Sequence, residues 1–212
     1  MATIGIWGGT GYAGSAIASE AVGRGFAVTA IARSEPAAPI EGVTYEQGSV
    51  ADSGQVKSLA AASDVVVVAL HATGEPALAD IYDDLVDSAR ASQTRLAFVG
   101  GAGSSLVSEG GPRLIETDGF PDEYKPEAGA HAEILERLLA EPEGLDWFYV
   151  SPAAVFGAWA AGEATGSYRT GGDILVTTDD GNSEISGADF ALAFVDEIAK
   201  PRHIGRRFTV GY

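Results

Sequence analysis

Apolar residues recur along this chain in two alternating patterns: short unbroken runs, and longer stretches of helical period. Ile4 to Trp7, Ala27 to Ala32, Val43 to Glu46, Asp64 to Leu70, Arg95 to Gly100, Leu145 to Val150 and Arg207 to Val210 read as strands. The fourth of these, Asp-Val-Val-Val-Val-Ala-Leu, is β-branched and apolar on both faces, as a buried parallel strand requires. Helical period runs through Ser15 to Val22, Gln55 to Ala62, Pro76 to about Ala91 and Glu127 to Ala140. Pro76 stands where proline opens a first turn, and Ile134, Leu135, Leu138 and Leu139 form one apolar stripe. Ser186, with Asp189 three residues on, marks the N-cap of a last helix reaching about Ile198. Gly110 to Pro126 is a glycine-, proline- and charge-rich loop or lid. Phe156 to Gly181 is turn-rich, with one expected strand at Asp173 to Thr178. Strand and helix alternate throughout, which predicts a doubly wound parallel sheet with helices on both faces. One domain over 1–212 is expected, with 156–181 a small appendage on the substrate side.

The break between the first strand and the first helix carries the strongest chemical signal. It reads Gly8-Gly-Thr-Gly-Tyr-Ala-Gly14, and strand, glycine turn and helix in that order are the context of a dinucleotide fingerprint. Gly8 allows the tight turn, Gly11 lets backbone approach a pyrophosphate, and Gly14 lets helix pack on strand. The new helix aims its unpaired N–H groups and the positive end of its dipole at the phosphates. Thr10, Tyr12 and Ala13 complete the expected contact. The competing account is a glycine-rich turn without a ligand, which the matching context on both sides disfavours.

The ends of the later strands extend this Rossmann-like reading. Arg33 stands nineteen residues after Gly14, at the strand end that faces the adenosine ribose. An arginine there accommodates a 2′-phosphate, whereas an acid bonds the free hydroxyl. Arg33 and Ser34 therefore favour NADP(H), with NAD as the alternative that nearby Glu35 supports. Ser49 and Val50 occupy the place of an adenine contact, with Asp52 displaced from it. Leu70, His71, Gly101, Ser151, Pro152 and Ala153 follow strand ends, where ligands bind in such sheets.

Composition narrows the class of function. Net charge is −17 over 212 residues, with only three lysines. Such a surface repels nucleic-acid phosphates and anionic membranes, and it raises the question of a salt-adapted source. An anionic cofactor must be met by local dipoles and a few placed cations. There is no cysteine, which removes disulfides, thiolate catalysis and cysteine-ligated metals. The three histidines are far apart, so no metal site is expected. An apolar content of 46% supports a sizeable core. No transmembrane run or leader-like segment is visible, so a cytoplasmic location is expected.

The Gly8–Gly14 turn resembles that of extended and atypical short-chain dehydrogenase/reductases, where Thr-Gly followed by an aromatic is common. Val99-Gly-Gly-Ala-Gly-Ser104, Asp146-Trp-Phe-Tyr-Val-Ser-Pro152, Glu184-Ile-Ser-Gly-Ala-Asp-Phe190, Thr165-Gly-Ser-Tyr-Arg169 and the closing Arg-Phe-Thr-Val-Gly-Tyr lie in the matching order. Together they are similar to the NAD(P)H-binding, NmrA-like atypical short-chain dehydrogenases, in particular the bacterial NADH-flavin reductase group. The resemblance covers nearly the whole chain and implies a reductase passing hydride from NADPH to flavin or another small acceptor. It equally allows a non-catalytic NAD(P)-binding regulator or redox sensor. A nucleotide-sugar epimerase or dehydratase is disfavoured, because that chemistry uses a tyrosine acid and a larger C-terminal domain.

That tyrosine acid normally sits in Tyr-x-x-x-Lys, where the lysine lowers the tyrosine pKa. Four residues after Tyr12, Tyr45, Tyr82, Tyr124, Tyr149 and Tyr168 stand Ala16, Ser49, Val86, Ala128, Ala153 and Gly172, and Tyr212 ends the chain. The standard acid is absent. His131, Ser104 and Lys125 are the remaining catalytic candidates: His131 as proton donor, Lys125 for the ribose or a phosphate, Ser104 for the substrate. A helix-surface histidine, a surface ion pair and a turn cap are their respective alternatives. Tyr124 is a candidate to cover the substrate or merely to pack. The other carboxylates read as solvated surface, and a homodimer is left open.

Overall fold

The computed structural model describes residues 2–212. Its sheet has eight strands in the order β3-β2-β1-β4-β5-β6-β8-β7. The strands are β1 (Thr3–Trp7), β2 (Ala27–Ala32), β3 (Val43–Gln47), β4 (Val65–Val68), β5 (Arg95–Val99), β6 (Trp147–Ser151), β7 (Arg169–Gly171) and β8 (Arg206–Gly211). All pairs are parallel except β7 with β8. The order reverses between β1 and β4, and the crevice outside the carboxyl ends at such a reversal is where this architecture receives ligands.

Strict alternation along the strands builds the two halves of the core. Ile4, Ile6, Val65, Val67, Ala97 and Val150 point to one face, under α1 (Tyr12–Gly23) and α5 (Gly187–Ala199). Trp7, Val66, Val68, Leu96, Phe98 and Tyr149 point to the other. That face is covered by α2 (Ser53–Ala62), α3 (Leu78–Ser92) and α4 (Lys125–Ala140). Because side chains alternate with period two, Val65–Val68 feeds both layers from four residues. Aromatic rings fill the α5 side, where Phe148 lies 5.1 Å from Phe194 and 6.4 Å from Phe208.

The expected elements form, with four differences. The β4 ladder stops at Val68, and Ala69 still donates to Trp7 O. The chain then bends away, so Leu70 belongs to the loop. Pro76 does not open α3: the Glu75–Pro76 bond is cis and the helix begins at Leu78, whose amide is spent on Ala72 O. Asp173 to Thr178 is no strand of the sheet. Its backbone pairs with Leu106 and, at Thr178, with the turn at Gly181 and Asn182, while Thr209 Oγ1 and Ser183 Oγ donate to the carbonyls of Ile174 and Val176. The edge strand is Arg169–Gly171 instead. On α4, Ile134, Leu135 and Leu138 are buried, but Leu139 falls off the stripe and is 61% exposed. Ser186 caps α5 as expected, accepting from Asp189 N.

A buried cation locks the far end of the sheet. The Arg95 guanidinium is 6% exposed and donates to Glu197 Oε1 at 2.8 Å, Asp146 Oδ1 at 3.0 Å, and the carbonyls of Glu197 and His203. It also lies 4.4 Å from the Phe148 ring centre. Glu197 in turn accepts from Arg202 N, His203 N and His203 Nδ1. Burial alone would raise its pKa, but these bonds hold it below the usual carboxylate range. Removing one partner of such a network leaves an uncompensated buried charge. Arg95→Ala should therefore lower unfolding free energy by about 3–5 kcal/mol. Denaturant titration checks this against an exposed-site control, Lys57→Ala. A loss no larger than the control's would contradict the assignment.

Candidate functional site

The glycine turn opens the crevice. Gly8 has φ +81°, and a Cβ there would stand 2.2 Å from Ala69 O. Gly14 is bounded in the same way, since its Cβ would meet Gly8 O at 2.2 Å. Both positions are thus fixed by backbone packing, as the turn and the helix–strand contact demand. Gly11 differs: it is exposed, and its only neighbour would be Gly8 O at 3.3 Å. It stands as N-cap of α1, with no side-chain cap and no acidic residue in the first turn. The helix therefore presents uncapped amides at the strand ends, the arrangement that receives phosphates. Thr10 is exposed beside it, and Ala13 is partly buried against the core.

Tyr12 has a different task from the one expected of a ligand contact. Its hydroxyl accepts from Gly187 N at 2.9 Å and donates to Ala161 O at 3.2 Å. Its ring meets Phe156 edge-on at 5.3 Å. It ties the head of α1 to the head of α5 and to the turn-rich segment after β6.

At the second strand, Arg33 and Ser34 are exposed at the carboxyl end of β2. Arg33 has no side-chain hydrogen bond or ion pair among the described residues. Ser49 Oγ accepts from Ala51 N, and Ser49 N donates to Gln55 Oε1. Asp52 caps α2 by accepting from Gly54 N and Gln55 N. Val50 is buried.

Between β4 and α4 the structure brings together a group that sequence reading left on the solvated surface. Glu127 Oε1 accepts from Ala72 N at 2.7 Å and lies 3.3 Å from both His71 Nδ1 and His131 Nε2. Glu127 Oε2 accepts from Thr73 N at 2.9 Å and from the Thr73 hydroxyl. Burial would raise the Glu127 pKa, but the bonds from His131, Thr73 and Ala72 outweigh it and hold the carboxyl far below its ordinary range. Glu127 is therefore a fixed anion pinning the His71–Thr73 loop, at the switch point, to the first turn of α4. One signal could have found it: Glu127 and His131 are four apart, on one face of a predicted helix.

His131 is buried, not on the helix surface. Its Nδ1 is fully enclosed with no partner, and Nε2 faces Glu127. The ring lies against Gly101, whose Cβ would stand 3.3 Å from the His131 Cβ. Tyr149 passes behind it, donating to His131 O at 3.1 Å and accepting from Gly101 N at 3.2 Å. That passage needs Gly100, where a Cβ would overlap the Tyr149 ring at 1.9 Å. The Tyr149 hydroxyl is fully buried and spent on His131 O and Gly101 N, so it serves as a strut between β6, the turn after β5 and α4. Burial pushes its pKa well above the ordinary value.

The three nominated catalytic residues do not converge. Lys125 is half exposed and pairs with Asp122 Oδ1 at 2.6 Å, the surface pair that was its alternative. Ser104 is buried with an unpartnered hydroxyl. It lines a separate cleft of about 200 Å³ with Leu139, Arg113 and Arg207. Ser151 is fully buried and accepts from Arg207 Nη1, which also reaches Ser105 Oγ. Pro152 and Ala153 are buried as well, so this stretch can offer a ligand backbone but not side chains. His71 is open to solvent, and Leu70 is partly buried. Among the described residues no set of three or more His, Asp or Glu side chains is placed to hold a metal ion, and no helix is long and apolar enough to cross a membrane.

Known proteins match this arrangement over its full length. A "putative exported protein" from Burkholderia pseudomallei is 38% identical, with a TM-score of 0.87 and 100% of both chains covered. A "putative epimerase" from Bacteroides thetaiotaomicron is 32% identical at a TM-score of 0.88, covering 100% of this chain and 97% of that one. A "putative NADH-flavin reductase" from Streptococcus pneumoniae TIGR4 is 35% identical at a TM-score of 0.85, covering 100% and 99%. These names share no single activity, so the likeness carries the architecture and not the substrate. The family model described as NAD(P)H-binding matches residues 8–201, from the glycine turn to just past α5. The chain belongs to the NAD(P)H-binding family.

Proposed function

We propose that this protein is an NADPH-dependent reductase whose acceptor is a flavin or a similar small planar molecule. The observation that carries the reading is a pairing of features at one crevice. The α1 amides stand uncapped at the switch point, while the titratable groups facing it are Glu127, His131 and His71 and not a tyrosine–lysine pair. When bound, the reduced nicotinamide supplies a hydride to the acceptor. What the chain supplies is binding and positioning. Gly8, Gly11 and Gly14 shape the phosphate turn, and Arg33 offers the free cation that a 2′-phosphate selects. Glu127 fixes the loop that floors the crevice and holds His131 by its Nε2 edge.

A carbonyl acceptor needs a strong proton donor at its oxygen, and no tyrosine in the crevice is activated for that. A flavin ring takes hydride at a ring atom, so orientation does more of the work. This agrees with the absent acid and disfavours an epimerase or dehydratase. A cytoplasmic setting is part of the same reading. The test is oxidation of NADPH by the purified protein with and without riboflavin, FMN or FAD, followed by loss of reduced-nicotinamide absorbance. Acceptor-dependent oxidation well above the protein-free rate is expected. Tight NADPH binding with no acceptor-dependent oxidation would replace this reading with that of a nucleotide-sensing regulator.

Two substitutions probe the residues. Arg33→Glu should weaken NADPH about ten-fold and leave NADH nearly unchanged, in line with one lost charge-assisted phosphate contact. Equal loss for both cofactors would remove Arg33 from discrimination. His131→Ala should lower turnover with NADPH affinity nearly intact, and unchanged turnover would take His131 out of the mechanism.

Glu127 also predicts a pH dependence. Its carboxyl is depressed in the folded state, so its stabilisation is complete above the unfolded value of about 4.3 and is lost as pH falls below that. The wild type should therefore lose thermal stability between about pH 5 and pH 3 more steeply than Glu127→Gln, in which this titration is gone. Parallel melting curves for the two would contradict the assignment.

A further inference from the structure

Two exposed aromatics remain that neither the core nor the cofactor turn uses. Tyr124 is 48% and Trp159 67% exposed, and among the described residues they are the only aromatic rings in the set of exposed large hydrophobic side chains. They come from segments far apart in sequence, yet their rings lie 6.5 Å apart at 12° between planes. Two segments at the surface have thus been brought to hold near-parallel rings while leaving about half of each in water.

Their anchors place them at the crevice. Tyr124 directly precedes α4, three residues before Glu127, which is bound to the His71–Thr73 loop at the end of β4. Trp159 sits in the short 3-10 turn Ala158–Ala160, and the next carbonyl, Ala161 O, accepts from the Tyr12 hydroxyl at the head of α1. The far side of that segment is held by Asp189, which accepts from Thr165 N, Gly166 N and the Thr165 hydroxyl. The pair therefore spans from the cofactor turn to α4, across the strand ends.

The geometry points to these two rings as the acceptor subsite, a clamp for an uncharged planar heteroaromatic ring; this rests on the reductase reading above. A ring in contact with an aromatic on each face needs about 3.5–4 Å per contact, or roughly 7–8 Å in all. The ring centres stand 6.5 Å apart, which bounds the gap between their planes from above, so the two exposed side chains must part to admit a ring between them. Charge decides which ring. Asp122 and Glu123 stand exposed directly before Tyr124, and Lys125, directly after it, is already paired with Asp122. Such surroundings favour a neutral riboflavin-type ring over its phosphorylated forms.

Binding and turnover separate this inference from the reading beneath it. Riboflavin emission would be titrated with NADP⁺-saturated protein, for the wild type, Tyr124→Ala, Trp159→Ala and Trp159→Phe, with FMN in parallel. The expected result is a riboflavin Kd raised about ten-fold or more in each alanine variant, as for loss of one stacking aromatic. Trp159→Phe should bind near the wild-type level, FMN should bind more weakly than riboflavin, and NADP⁺ affinity should not change. Unchanged riboflavin affinity in both alanine variants, or FMN binding tighter than riboflavin, would overturn the clamp. If the alanine variants lose riboflavin but the wild type never oxidises NADPH with it, the clamp stands and the reductase reading falls. If the wild type oxidises NADPH with flavin and the alanine variants match it in Kd and KM, the reductase reading stands and the clamp falls.

Discussion

The crevice depends on one carboxylate. Glu127 sits on the first turn of α4, yet its oxygens are spent on the loop that follows β4: Ala72 N, Thr73 N, the Thr73 hydroxyl and the edge of His71. These four groups and His131 Nε2 hold it ionised despite partial burial, since bonds to the charged form outweigh desolvation. The consequence is mechanical as well as electrostatic. A loop at the topological switch point is ordinarily mobile; here it is fixed to a helix on the far side of β5, and the helix is held in turn by Tyr149 under His131. The glycine turn on one flank and the His131 edge on the other keep their spacing through this tie.

The second constraint is charge. A chain of net charge −17 that takes an anionic dinucleotide must present positive potential locally. The α1 terminus does so through backbone amides, which no acidic neighbour cancels, and Arg33 does so through a free guanidinium. The two arginines buried in the sheet are occupied, Arg95 by Glu197 and Asp146 and Arg207 by Asp173.

Fold and cofactor turn were legible in sequence because both rest on local rules. Short unbroken apolar runs and the Gly8–Gly14 turn state strand, turn and helix without reference to distant residues. What failed was non-local. Asp173 to Thr178 has a strand-like pattern because Leu175 and Val176 are buried, but the segment is held by Leu106 and by the side chains of Thr209 and Ser183 and not by a strand ladder. Ser104, Lys125 and His131 were grouped by position along the chain, whereas α4 separates them by face: His131 turns to Glu127, and Ser104 lines the cleft on the side of Leu139 and Arg207. Glu127 was overlooked because a carboxylate in a first turn is ordinarily a solvated dipole partner. Only the return of the β4 loop reveals its partners.

The central claim is that this crevice passes a hydride from the bound coenzyme to a planar acceptor. Anaerobic stopped-flow mixing of the protein, riboflavin and NADPH carrying deuterium at the transferring position of the nicotinamide tests it directly. The account predicts protein-dependent bleaching of the oxidised flavin that is slower with deuterium than with hydrogen. Bleaching no faster than in the absence of protein, while NADPH still binds, would contradict it.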